Sequence, residues 1–225
     1  MELRDVMRTT PATRAFTDDD LPDDVLYDIL DAARFAPSGG GRQTWKVVVV
    51  RDAATKAAIA EMYDLGMREY VAYLQAGLVP FVASDAMRDE PPVDLAAARE
   101  VPLAAGMTTH LASAPVLLVI LFDATNTSAV DAGLGRAPVT AGGSVWPFAH
   151  NVLLAARDAG YGGHLTSVLA RQEPALRELL HIPREYVLGT MLPLGKPTRV
   201  LTRLARAPVE EFATVDRFDG AAFSR

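Results

Sequence analysis

The chain has no cysteine at any of its 225 positions. That absence excludes disulfides, thiolate nucleophiles, zinc–cysteine sites and iron–sulfur clusters. Aromatic residues are scarce at 7%, so Ala, Val and Leu must fill most of a core. Basic residues are outnumbered: 22 Lys and Arg against 28 Asp and Glu leave a formal net charge of −6. The balance argues against a nucleic-acid partner, because phosphate backbones demand a basic face. Long apolar runs are missing too. The most apolar stretch, Val116 to Phe122, is far shorter than the roughly 20 residues that span a bilayer. The segment Met1-Glu2-Leu3-Arg4-Asp5 is charged and lacks an apolar signal core. A soluble, cytoplasmic protein with no membrane partner is the expectation. No low-complexity tract or internal repeat is evident.

What is present is apolar material enough for a sizeable core, at 50% of residues. The length fits one large domain or two small ones. No composition shift marks a boundary, so residues 1–225 are read as a single domain. Asp18 to Asp24 reads as a helix start, with Pro22 at the first helical position and acidic residues at the positive end of the dipole. Val25, Leu26, Ile29, Leu30 and Ala33 follow as an apolar stripe. Pro37 is expected to close that helix, since a residue before proline is pushed out of the α region. The Asp run is a solvated helix entrance rather than a metal site.

Val47 to Val50 reads as a buried strand, and Ala53 to Gly77 as a helix with charges on one side. The pattern breaks up from Val79 to Pro102, where Asp89-Glu90-Pro91-Pro92 marks a loop that could cover a pocket. Val116 to Phe122 is a second buried strand, and Asp123 to Gly143 a second loop. Val145 to Ala159 is a strongly apolar helix, capped by Gly160 at its end and by Ser144 at its start. Such a helix is buried, often between subunits. Gln172 to His181 is a shorter helix and Tyr186 to Leu194 a third strand. Lys196 to Arg225 is a long tail with little periodicity, of the kind that lies on another surface. Helices and separated strands without strict βαβ alternation indicate an α+β sandwich.

The most informative run is Ala36-Pro37-Ser38-Gly39-Gly40-Gly41-Arg42-Gln43-Thr44-Trp45. It carries many backbone N–H groups and few side chains to block them, so a flat polar ligand can approach closely. It is not a dinucleotide fingerprint, because it follows a helix and opens a strand. Gly142-Gly143-Ser144-Val145-Trp146 lacks the second glycine of a nucleophile elbow. His110, His150, His164 and His181 are scattered with no helical-pair spacing. No triad or metal set emerges, so a cofactor is expected to supply any chemistry.

Three segments resemble the FMN-dependent nitroreductase family. Thr10 to Phe16 carries the basic-x-aromatic end of the family's first motif at Arg14 and Phe16, while Thr10, Pro11 and Ala12 replace its basic-basic-serine start. In the loop, Pro37, Ser38, Gln43 and Trp45 match, with Gly41 in place of Asn and Thr44 in place of Pro. Asn151 to Gly163, Leu192 to Pro197 and Arg206-Ala207-Pro208 match the central helix and glycine turn, the final core strand and the basic-x-Pro element.

The resemblance implies a three-layer sandwich: a central, mainly antiparallel sheet flanked by helices, with a C-terminal tail embracing a partner subunit. It implies a homodimer with FMN at the interface, reduced by NADH or NADPH, passing electrons to a nitroaromatic, quinone or similar small-molecule acceptor in ping-pong fashion. Pro37, Ser38, Gly39 and Gln43 would line the flavin. Leu165, Thr166 and Ser167 would offer N–H and hydroxyl donors near its ring. Arg14 and Arg206 would hold the phosphate, with Arg8, Thr10 and Arg203 as further candidates. No side chain is assigned a catalytic role. The family's range leaves open a dehalogenase, a flavin-fragmenting enzyme, an oxidase of peptide heterocycles and a non-catalytic flavin-sequestering protein. A purely structural dimer module leaves Pro37 to Gly41 without a purpose.

Overall fold

The computed structural model describes residues 1–83 and 90–225. Seven helices and four strands are described: α1 (Leu3–Thr9), α2 (Asp23–Ala33), β1 (Trp45–Val50), α3 (Ala53–Gln75), α4 (Leu95–Ala98), α5 (His110–Ser113), β2 (Val116–Asp123), α6 (Val145–Asp158), β3 (Gly162–Gly163), α7 (Glu173–Leu179) and β4 (Tyr186–Gly195). The strands form one sheet in the order β1-β2-β4-β3, with every neighbouring pair antiparallel. The architecture is α+β, as the sequence predicts. Within the predicted loop from Val79 to Pro102, Asp89 lies outside the described residues.

β2 explains why the layers form. Its even positions, Val116, Leu118 and Ile120, pack in one core with α2 and α6. Its odd positions, Leu117, Val119 and Leu121, pack in a second core with Ile59 and Tyr63 of α3 and Leu176 of α7. Both faces are covered, which is why an alternating strand reads as a continuous apolar run. β1 is different. It is a sheet edge, and only Val50 is fully buried, with Val49 exposed. The expected burial of Val47 to Val50 therefore fails for most of the strand.

Helix ends depart from the sequence reading in two places. Pro22 is the N-cap of α2 rather than its first residue. The helix then stops at Ala33, well before Pro37, with a turn from Ala36 N–H to the Ala33 carbonyl. The proline rule sets only the furthest point a helix can reach. α3 is capped by Asp52, whose carboxylate accepts from the Thr55 N–H and hydroxyl. At the end of α6, Ala159 caps and Gly160 follows at φ +85°, the left-handed position that glycine tolerates.

α3 meets the short turn Val168–Gln172 at Gly66. A Cβ there would lie 2.7 Å from the Val168 side chain and 2.8 Å from its carbonyl oxygen. Alanine is favoured over glycine inside a helix by about 1 kcal/mol, but overpacking against backbone typically costs about 1–3 kcal/mol. The clash wins: Gly66→Ala is expected to lower the stability, read as a fall in the denaturant midpoint.

Candidate functional site

The N-terminal segment, the chain after α6 and the end of β4 meet along β3. Gly162 and Gly163 pair with Gly195 and Leu194 of β4. On the other side, the Thr13 N–H donates to the Gly163 carbonyl at 2.8 Å, and Ala12 bridges Gly163. Further along, Thr17 N–H donates to Lys196, and Thr198 N–H to Ala15. The backbone on either side of Arg14 is thereby tied to β3 and to residues 196–198.

That segment alternates like a strand. Thr166 is buried, and its backbone N–H and carbonyl are both bonded to Met191 of β4. Its hydroxyl donates to the Tyr63 hydroxyl at 3.3 Å. The Thr166 N–H is therefore committed to the sheet and cannot be the free donor that the sequence suggests. Leu165 and Ser167 point the other way, are exposed, and their N–H groups have no backbone partner among the described residues.

The predicted cation cluster comes together in part. Arg8, Arg203 and Arg206 line one cavity of about 590 Å³, with Asp5, Thr9 and Thr202. None of the three arginines is in an ion pair among the described residues. Arg14 does not join them. It lines a neighbouring groove with Arg199 and Thr198. Thr10 is also apart, because its hydroxyl donates to the Val6 carbonyl at 2.7 Å within α1.

Pro37, Ser38 and Gly39 line another cavity, of about 350 Å³, together with Arg42, Thr44, Asn126, Ser128 and Ser144. Ser144 is the N-cap residue of α6, as expected, but its side chain makes no capping bond; its hydroxyl instead accepts the Gly39 N–H at 3.2 Å. Arg42 donates to the Gly39 carbonyl and to the Ser128 hydroxyl, which ties the glycine loop to the loop after β2. Ser38 accepts the Gln43 N–H at 3.0 Å and closes the turn, with Gln43 held at φ +48°. Gln43 itself does not line the cavity. Trp45 stacks on Phe148 at 4.7 Å, a packing contact. Asp131 shapes the second loop: the Thr140 hydroxyl, the Val139 N–H and Arg136 hold its carboxyl far below the usual carboxylate range.

Several residues at the site escaped the sequence reading. His110 and His164 lie 54 positions apart in the chain, yet their ring centroids are 4.8 Å apart, and both are buried. His164 Nδ1 donates to the Thr13 carbonyl at 3.0 Å, so its Nε2 is a bare acceptor. Both Nε2 atoms are buried without a hydrogen-bond partner among the described residues. Burial, opposed by the Thr13 carbonyl and aided by Arg14, pulls His164 down to about 4. Burial and then the Arg14 charge also lower His110. His150, by contrast, is exposed on α6 and forms part of no cluster. Arg157 is buried and donates to the Thr9 hydroxyl and the Leu201 carbonyl, which joins α6, α1 and the tail beneath the arginine cavity. Its position, four residues after Leu153 on the buried stripe of α6, was the available signal.

Residues 7–196 match the model of the nitroreductase family, and the chain belongs to that family. A protein of Archaeoglobus fulgidus, provisionally named NADH dehydrogenase/NAD(P)H nitroreductase, is 27% identical over 191 residues, covering 84% of this chain and 82% of its own. A BluB-like flavoprotein from Clostridium difficile 630 superposes with a TM-score of 0.70 at 24% identity, covering 96% of this chain and 100% of that one. An oxidized iodotyrosine deiodinase bound to FMN and 3-iodo-L-tyrosine does so with a TM-score of 0.67 at 22% identity, with the same coverage of both chains. At those identities the two structures establish the shared fold. Among the described residues, no helix is long and apolar enough to cross a membrane.

The histidine pair sets a pH dependence. The folded pKa of His164 lies near 4 and that of His110 is lowered, against an ordinary value of 6.5. Between those values the unfolded chain binds more protons than the folded one, so stability declines as pH falls from about 6.5 towards about 4. Melting temperatures measured at about pH 7 and about pH 5 are expected to differ in that sense. His164→Asn, which keeps an N–H for Thr13 and loses the second nitrogen, is expected to reduce the difference.

Proposed function

We propose that this chain binds FMN and uses it to carry electrons from NADH or NADPH to a small oxidised acceptor such as a nitroaromatic or quinone. The observation that carries the reading is the cavity of Arg8, Arg203 and Arg206, three cations that, among the described residues, form no ion pair. A phosphate dianion accepts charge-assisted hydrogen bonds from such a set. The rest of the site fits a flavin as well. Leu165 and Ser167 leave N–H groups facing outward. The turn at Gly39–Gly41 has no Cβ to hold off a flat ring.

In that reading the arginine cavity anchors the phosphate, and Arg157 beneath it keeps α1 and the tail in register. The N–H groups of Leu165 and Ser167 donate to polar atoms at the ring edge. Arg14, in the neighbouring groove with Arg199, adds positive charge near the site, and such preorganised charge favours developing negative charge. The flavin, once bound, supplies the hydride and electron transfer chemistry. The cavity between the glycine loop and the loop after β2 would hold the acceptor by its hydroxyl and amide groups.

The arginine cavity and the Pro37–Ser144 cavity share no residue in one chain. A homodimer in which one copy supplies each half accounts for that separation. The tail supports it: Phe212, Phe218 and Phe223 are all largely exposed, Phe218 completely. Apolar residues so displayed suit a partner subunit. We read residues 1–225 as a single domain within that dimer.

The experiment is the visible absorption spectrum of the purified protein, before and after anaerobic NADH and then NADPH. A bound-flavin spectrum that bleaches supports the reductase and identifies the donor. A bound flavin that stays oxidised points to sequestration instead. A colourless protein that takes up no FMN overturns the reading. Arg206→Ala is expected to weaken FMN binding by about 10-fold or more, the usual worth of a charge-assisted hydrogen bond, as read by flavin fluorescence quenching.

A further inference from the structure

The cavity between the glycine loop and the loop after β2 has a sign as well as a polarity. Among the described residues, Arg42 is the only charged side chain that lines it. Its guanidinium lies over the glycine turn. Nη2 is 3.6 Å from the place a Cβ on Gly39 would take, and Nε is 3.7 Å from that of Gly40. Nε donates to the Gly39 carbonyl and Nη2 to the Ser128 hydroxyl. These two bonds hold the planar group in one orientation, and a fork so held loses little freedom on meeting a carboxylate. Nη1 donates to no other group among the described residues.

Three serines line the same cavity, and all three are used alike. Ser38 accepts the Gln43 N–H at 3.0 Å, Ser128 accepts Arg42 Nη2 at 3.0 Å, and Ser144 accepts the Gly39 N–H at 3.2 Å. Each gives a lone pair to the framework of the loops. None gives its own hydroxyl hydrogen to another of the described residues. A hydroxyl carries one hydrogen and two lone pairs, so what these serines keep for a ligand includes every donor they have. Thr140 differs, because its hydroxyl is given to Asp131. The Asp131 carboxylate is in turn paired with Arg136 and does not line the cavity. The cavity therefore faces a ligand with one fixed cation and three available O–H groups.

We propose that this cavity selects acceptors that carry a carboxylate on an aromatic ring, with Arg42 as the residue that sets the preference. This rests on the flavin reading above and names the substrate class of that site. The carboxylate accepts from Arg42 Nη1 and from the serine hydroxyls, while Pro37 and Val130 offer apolar surface to the ring. The volume, about 350 Å³, lies at the lower end of the roughly 300–1,000 Å³ of small-molecule sites, which suits a single ring. A neutral carboxamide has the same shape, but its NH₂ group meets a wall of donors and goes unpaired. The phosphates of the nicotinamide donor are a second source of negative charge, and the test separates the two.

The test is calorimetric titration of the oxidised, FMN-loaded protein with benzoate and with benzamide. Benzoate is expected to bind about 10-fold or more tightly, the usual worth of a charge-assisted hydrogen bond. Arg42→Met is expected to abolish the preference, and Arg42→Lys to keep part of it. Equal affinity of the FMN-loaded wild type for the two ligands overturns the proposal and leaves the flavin reading intact. So does an Arg42→Met variant that weakens both ligands alike, since Arg42 is then only the tie between the loops. Steady-state kinetics give a second reading, with 4-nitrobenzoate and 4-nitrobenzamide as acceptors. Arg42→Met is expected to raise KM for the carboxylate alone. A rise in the KM for NADH or NADPH instead assigns Arg42 to the donor's phosphates and overturns the proposal. A wild type that takes up no FMN overturns both this proposal and the reading it rests on.

Discussion

Where the N-terminal segment crosses β3, there is no space for a side chain. A Cβ on Gly162 would fall 2.7 Å from the Thr13 hydroxyl, and one on Gly163 would fall 2.3 Å from the Pro193 carbonyl and 2.5 Å from Leu194. At Gly163 the obstacle is the Pro193 backbone, which no rotamer change can move, while at Gly162 it is the Thr13 side chain. This three-layer contact fixes almost everything at the candidate site. It gives His164 its carbonyl partner and lets residues 15–17 pair with residues 196–198. The chain thus brings its beginning and its last strand together, and the arginines that flank them, Arg8 on one side and Arg203 and Arg206 on the other, converge.

The electrostatics follow from that convergence. The chain as a whole is acidic, with a net charge of −6, yet the arginine cavity is locally positive. Among the described residues, the buried carboxylates Glu69 and Asp131 are held by cations: Glu69 by Arg171, Asp131 by Arg136 and the Thr140 hydroxyl. Local charge, rather than the total, decides which ligand a site accepts. The second cavity has a different character. Its walls are hydroxyl and amide groups from two loops joined by Arg42. It is suited to orienting a polar acceptor rather than to holding a dianion.

Much of this was legible in the sequence where a local rule sufficed. β2 shows as an apolar run because both its faces are covered, α3 as a helix with charges on one side and α6 as a strongly apolar one. Arg8, Arg203 and Arg206 were candidates before the fold was known, and the fold brings them into one cavity. The failures share a cause, which is tertiary competition for a group whose local role seemed clear. Ser144 looks like a cap, but the Gly39 N–H claims its hydroxyl. Thr166 looks like a free donor, but Met191 binds its N–H. β1 looks buried, but its place at the sheet edge leaves only Val50 fully covered. The histidine pair could not be read at all, because its two members are brought together only by the fold.

The central claim is that cations from the two ends of the chain bind the phosphate of a flavin. The most direct measurement compares FMN with riboflavin, which has the same ring and no phosphate, by fluorescence titration of the apoprotein at low and high salt. The account predicts that FMN binds at least about 100-fold more tightly, since each of several charge-assisted bonds is worth about 1.5–3 kcal/mol. It also predicts that the preference shrinks as salt screens the arginines. Equal affinity for the two flavins, or a preference unaffected by salt, would contradict it.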